Sequence, residues 1–160
     1  MQRRQAQVGV CDSGSSLRVH RVLVALDGSE CAFRALSAAI DRSREIADTA
    51  LHLLTVHRPP DTLDDPGSWR PRRRTQSLPT LRSDWILRQA EQRIPIAGLQ
   101  HTKEVLEGEP AKLIAQRAGQ LRCEVIFVGA HGAGRTQSRD LGSVAAQVCA
   151  LSVVPVRLIK

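Results

Sequence analysis

Near the end of the chain, Gly129, Gly132, Gly142 and Ser143 have the types and spacing to hold an anion, and they follow directly on the apolar run Val125-Ile126-Phe127-Val128. That order reads as a buried strand ending in a glycine-rich loop. Glycine lets a backbone approach a ligand closely and adopt dihedrals closed to other residues, so that N–H groups can converge on negative charge. Phosphate is the ligand such a loop suits. Ser143 then opens a second apolar segment, Val144-Ala145-Ala146-Gln147-Val148-Cys149. A helix starting there adds the positive end of its dipole and a hydroxyl donor.

The glycine pattern excludes one alternative and leaves others open. A dinucleotide fingerprint needs G-x-G-x-x-G after the first strand of a βαβ unit, whereas here the order is G-x-x-G-x-G after a late strand. Gly129 to Thr136 reads GAHGAGRT, which fits a P-loop except that Arg135 stands where lysine belongs. A P-loop runs straight into a helix, yet residues 135–140 show no apolar periodicity and the helical pattern begins only at Gly142. A P-loop phosphotransferase is therefore the weaker reading, and a glycine-rich turn without a ligand is the third. His131 sits among the glycines, but no Ser or Cys nucleophile with an orienting carboxylate pairs with it, so it reads as a loop residue near phosphate. Arg135 and Arg139 can screen phosphate charge or simply be solvated.

The elements that must position this loop are legible along the chain. Val22 to Leu26 is a continuous apolar run, the pattern of a strand buried on both faces of a parallel sheet. Ser29 is placed to cap a helix whose Ala32, Phe33, Leu36, Ala39 and Ile40 make one apolar face. Leu51 to Val56 gives a second strand, and residues 57–79, with five prolines, a long loop. Leu81, Trp85, Ile86, Ala90 and Ile94 mark a helix ended by Pro95 and Gly98. His101 to Leu106 is a less apolar third strand suited to a sheet edge. Pro110 opens a helix through about Gly119, with Leu113, Ile114 and Ala118 inward. Val125 to Val128, the Gly142 to Ala150 helix and Val153 to Ile159 complete five strands alternating with four helices, an α/β, open, doubly wound parallel sheet.

Composition sets outer bounds. The 160 residues suit one domain with a real core, over 20–160, behind a polar tail at 1–19. No apolar run has the length of a membrane span and the N-terminus lacks a secretory pattern, so a cytoplasmic protein is expected. Cys11, Cys31, Cys123 and Cys149 show no metal or redox spacing; the last three sit in apolar patterns and are expected in the core, and Cys11 lies in the tail. The net charge of +7 is dispersed, with Arg70-Pro71-Arg72-Arg73-Arg74 the one dense run. Only Trp69 stands beside it where a single-strand binder has several stacking rings, which argues against nucleic acid.

The motif G-x2-G-x9-G-[ST], matched by Gly129, Gly132, Gly142 and Ser143, resembles that of ATP-binding universal stress proteins. The stretch Arg21 to Glu30 resembles that family's first strand and acidic turn, Leu53-Leu54-Thr55-Val56 its second strand, Gly108-Glu109-Pro110-Ala111 the turn before its third helix, and Val154-Pro155-Val156 its last strand. The resemblance implies strand order 3-2-1-4-5, which puts the reversal of strand order between strands one and four, where open α/β sheets bind ligands. It further implies that Asp27 contacts ribose and adenine, although an Asp before Gly28-Ser29 also suits a simple turn. By the same resemblance Ala25 and Val56 meet the base through backbone groups and Val128 packs on the nucleoside. Gly129, Gly132, Gly142, Ser143 and the Val144 N–H take the phosphates, and the cofactor is ATP with Mg²⁺ or Mn²⁺ carried by the phosphates.

The loop region offers only Asp27 and Asp140 as metal-holding carboxylates. This points to a stress or signalling protein that changes state or partner on binding nucleotide, with slow hydrolysis at most. The alternative in another class is an interaction module of the same fold with an empty site. Because Pro155 cannot donate to a ladder, the terminal strand belongs at an edge. The resemblance implies that the edge is covered by the same strand of a second subunit, a homodimer with Val154, Val156 and Leu158 as contacts.

Overall fold

The computed structural model describes residues 19–58, 78–94, 99–132 and 141–160. The chain runs β1 (His20–Ala25), α1 (Glu30–Glu45), β2 (Thr49–His57), α2 (Leu78–Gln92), β3 (Gln100–Glu107), α3 (Pro110–Gln120), β4 (Val125–Gly129), α4 (Ser143–Leu151) and β5 (Val156–Ile159). All described strand pairs are parallel and the sheet order is β3-β2-β1-β4-β5. Most of the tail at 1–19, most of the loop at 57–79, Pro95, Gly98, Arg135, Arg139 and Cys11 lie outside the described residues.

Alternation in β1 explains why two helical layers form. Val22, Val24 and Leu26 join the cluster under α1 and α2, while Leu23 and Ala25 join the cluster under α3 and α4. A strand with both faces apolar must be covered twice, and only crossover helices of a parallel sheet do this. Its neighbours continue the pattern: Leu51 and Leu53 of β2 face the first layer and Leu54 the second, and Phe127 of β4 is fully buried in the first. Strand β3 has only partly buried or exposed residues, as an edge requires.

Three details depart from the sequence reading. Strand β5 begins at Val156 instead of Val153. The Ser152 hydroxyl accepts from the Val154 N–H at 3.0 Å and donates to the Val154 carbonyl at 2.7 Å, closing a bend that interrupts the apolar run. Val154 is thereby tucked into the second layer while Val153 stands 92 % exposed. Cys149 is exposed and Cys31 only half-buried, because α4 buries Ala145 and Val148 on one arc and Cys149 falls off it. Helix α2 turns Ser83, Ile86, Leu87 and Ala90 inward, which leaves Leu81 and Trp85 on its outer side.

A polar network ties β2, β3 and α3 together. His52 shares hydrogen bonds through Nδ1 with Thr102 Oγ1 at 2.8 Å and through Nε2 with Glu104 at 2.9 Å, and Arg117 Nε donates to Glu104 at 2.7 Å. Burial lowers the His52 pKa below the usual 6.5 and outweighs the opposite pull of Glu104. Burial works to raise Glu104, but its hydrogen bonds from Arg117 and His52 more than offset this and hold it below the usual 4.5. The signs are different in origin and alike in effect. Unfolded His52 takes up its proton near 6.5 and folded His52 only lower, so stability is lost as pH falls through that window; Glu104 adds a further loss below 4.5. A His52→Gln variant is expected to lose less stability than wild type between about pH 7.5 and 5.5 in urea unfolding, because one proton-uptake site is removed. Equal losses would place that uptake elsewhere.

Candidate functional site

The carboxyl ends of β1 and β4 meet at the reversal of strand order, and each continues into a turn built by short-range chemistry. After β1, Asp27 Oδ1 accepts from the Ser29 N–H at 2.9 Å, and Gly28 takes φ +83°, a conformation L side chains rarely adopt. Ser29 is the N-cap of α1, accepting from the Ala32 N–H at 3.2 Å. Its hydroxyl also reaches the His131 carbonyl at 3.4 Å, a long contact that joins the two turns.

The three glycines of the motif, Gly129, Gly132 and Gly142, serve different ends. A Cβ on Gly129 would lie 2.8 Å from the Ala32 nitrogen and 2.8 Å from the Cys31 carbonyl carbon, so Gly129 is required by the packing of α1 against β4. A Cβ on Gly142 would lie 3.1 Å from the Ala130 carbonyl oxygen, which accepts the Gly142 N–H at 2.8 Å. That contact sets the start of α4 on the loop. At Gly132 the one near atom among the described residues is Asp27 Oδ2, 3.0 Å from a Cβ. Gly132 and Asp27 therefore face each other closely across the site.

Between these turns lies a crevice of about 450 Å³, and all nine residues singled out from the sequence line it: Ala25, Asp27, Val56, Val128, Gly129, Gly132, Gly142, Ser143 and Val144. One wall is apolar, formed by Ala25, Leu54, Val56, Val128 and Ile114; the other carries the first turn of α4. Gly142 is the N-cap of α4 and has no side-chain cap, and the first helical closure is Ala146 N–H to the Gly142 carbonyl at 2.9 Å. The amides of Ser143, Val144 and Ala145 thus have no intrahelical acceptor. They carry the positive end of the helix dipole beside an exposed Ser143 hydroxyl. An apolar slot leading to uncapped amides and one carboxylate can hold a flat ring at one end and an anion at the other.

Sequence reasoning did not single out Leu54, Pro110 or Ile114 as site residues, yet they line the crevice. The turn Gly108-Glu109-Pro110-Ala111 held a usable signal, since a helix following a parallel strand starts at the carboxyl edge of the sheet. His131 is half-buried on the wall, and its Nε2 is buried without a hydrogen-bond partner. Among the described residues no group of three or more His, Cys, Asp or Glu is placed to hold a metal ion.

A family model described as the universal stress protein family matches residues 18–160. The universal stress protein YxiE of Bacillus subtilis (strain 168) is 27 % identical over 147 residues, covering 88 % of this chain and 99 % of its own. A universal stress protein solved in complex with cAMP superposes with TM-score 0.63 at 24 % identity, over 88 % of this chain and 96 % of that one. An Arabidopsis thaliana protein of that family, solved with AMP bound, gives 0.62 at 22 % identity over 88 % and 91 %.

The two kinds of glycine are separable by experiment. Gly129→Ala is expected to destabilise the fold by about 1–3 kcal/mol, the scale of overpacking, while Gly132→Ala shifts the unfolding free energy by less than about 0.5 kcal/mol. Chemical denaturation of both variants measures this, and a Gly129→Ala protein as stable as wild type would contradict the close approach of α1 to β4.

Proposed function

The chain belongs to the universal stress protein family, and from that premise we propose that its crevice binds ATP and that the protein acts through a ligand-dependent change of state or partner. The observation that carries this reading is the uncapped N-terminus of α4 facing Asp27 across an apolar slot. Asp27 Oδ1 is engaged by the Ser29 amide, a bond that orients the carboxylate toward ribose hydroxyls. Ala25 and Val56 present backbone groups to the base and Val128 packs on the nucleoside. Gly129, Gly132, Gly142, Ser143 and the Val144 amide hold phosphates. Mg²⁺ or Mn²⁺, carried by the phosphates, supplies charge neutralisation when bound. The AMP and cAMP held by the two solved relatives support an adenine nucleotide as the ligand class. The proposal places residues 20–160 in one domain of a cytoplasmic protein; no described helix is long and apolar enough to cross a membrane.

Calorimetric titration tests the site. Wild type is expected to bind ATP with a dissociation constant from submicromolar to tens of micromolar, on the order of 8 kcal/mol around the midpoint. Gly132→Val fills the space opposite Asp27 and abolishes binding while the far-ultraviolet circular dichroism persists. Ser143→Ala weakens ATP by about 1–2 kcal/mol and adenosine by less, the scale of a hydrogen bond to a charged group. Equal weakening of both ligands would assign Ser143 to starting the helix and remove it from the phosphate site.

The same reading extends to assembly. Strand β5 is the free edge beside β4, with Val156 half-buried and Leu158 40 % exposed. An uncovered apolar edge invites pairing. We assign it to a two-fold partner strand, with Val156 and Leu158 as contacts; Val154 is no longer among them, being buried in its own protomer. Sedimentation at tens of micromolar is expected to show a wild-type dimer and a Val156→Asp protein shifted to monomer or aggregate. A dimeric Val156→Asp variant would refute this placement.

A further inference from the structure

Helix α2 carries apolar side chains on two opposite arcs. At about 100° per residue, Ser83, Ile86, Leu87 and Ala90 share the arc that packs on the sheet. From Leu81 onward, the opposite arc, about 120° wide, holds Leu81 and Trp85, with Arg82 on one border and Arg88 on the other and only Gln89 and Gln92 otherwise between them. Leu81 is 47 % and Trp85 55 % exposed. Among the described residues, neither Arg82 nor Arg88 forms an ion pair. The carboxylates of this helix lie off the arc: Asp84 is half-buried on the flank between the two arcs and Glu91 is held by Lys103 at 2.9 Å. Arg93 is committed to the ring of Phe33, 3.9 Å from its centroid.

We propose that the outer face of α2 is a docking site for an acidic segment of another protein, one that sets an apolar side chain against Trp85 and carboxylates against Arg82 and Arg88. Trp and Arg are the residue types that most often dominate interface energy, and a tryptophan flanked by two guanidiniums that form no ion pair among the described residues gives both an anchor and a charge to complement. Three other occupants fit less well. A second copy related by two-fold symmetry would set this face on itself, arginine against arginine. Single-stranded nucleic acid is held by successive stacking rings in a groove, and this convex face has one. A membrane surface is met by a helix with a broad apolar face, and here the larger apolar arc is already used by the core.

The test uses the full chain carrying Trp69→Phe, so that Trp85 is the remaining indole. The probe is a synthetic helical peptide with a leucine stripe flanked by glutamates. Saturable blue-shifting of the Trp85 emission, weakened by salt, is the expected result. Arg82→Glu with Arg88→Glu lowers the affinity by about tenfold or more, as like charges brought together do, and leaves ATP titration and the urea midpoint unchanged. Calorimetry on Trp85→Ala shows a comparable loss. The inference is overturned if the peptide leaves Trp85 unmoved, or binds the charge-reversed variant as well as wild type. It is equally overturned if oligothymidylate or phosphatidylserine vesicles shift the emission where the peptide does not, or if Trp85→Ala dissociates a self-associated form in sedimentation.

Discussion

The first turn of α1 lies so close to the end of β4 that no side chain fits between them. At Gly129 even a methyl carbon would sit 2.8 Å from backbone atoms of Cys31 and Ala32, well inside contact distance. Much else at the crevice follows from that approach. It puts Ser29, the cap of α1, within reach of the His131 carbonyl, and it brings the Asp27 turn up against Gly132. Were the helix to start farther from the sheet, the Ser29–His131 contact that joins the β1 turn to the β4 loop would be lost. Gly142 repeats the device on the other side, where a carbonyl of the loop takes the amide that opens α4.

The two hydrophobic layers hold these approaches in place. Because β1 and β4 are apolar on both faces, the helices cannot slide outward without exposing Leu23, Phe127 or Ile126, each fully buried. Burial of one such side chain is worth about 1.5–3 kcal/mol, more than a few tenths of an ångström of strain at a glycine can return. The crevice is therefore a by-product of layer packing at the place where neighbouring crossovers leave in opposite directions, and its polar groups are borrowed from turns and a helix start.

Much of this was legible in the residues themselves because it rests on demands only a few residue types meet. Continuous apolar runs announced two-sided strands, Ser29 announced a cap, and Asp27 with the spaced glycines announced two special turns. What stayed hidden were choices between equivalent directions. Periodicity marked α2 as a helix but not which of its two apolar arcs met the sheet, so Trp85 counted toward the pattern and then proved to face out. The run from Val153 to Ile159 reads as unbroken strand until the Ser152 hydroxyl closes a bend on Val154. Gly129 was read as room for a ligand, and its missing side chain also makes room for the protein's own helix. Sequence shows that a backbone must come close to something there; only the fold says to what.

Cys123, at the base of the sheet just before β4, has its thiol pushed up to about 11 by burial. At neutral pH only about one molecule in ten thousand then carries the thiolate, the form that attacks disulfides and alkylating reagents. In the unfolded chain the same thiol ionises about a hundredfold more often and meets solvent directly. Cys123 is thus chemically silent in the intact fold and reactive when the base of the sheet opens. The desolvation that silences it is the same that packs the second layer.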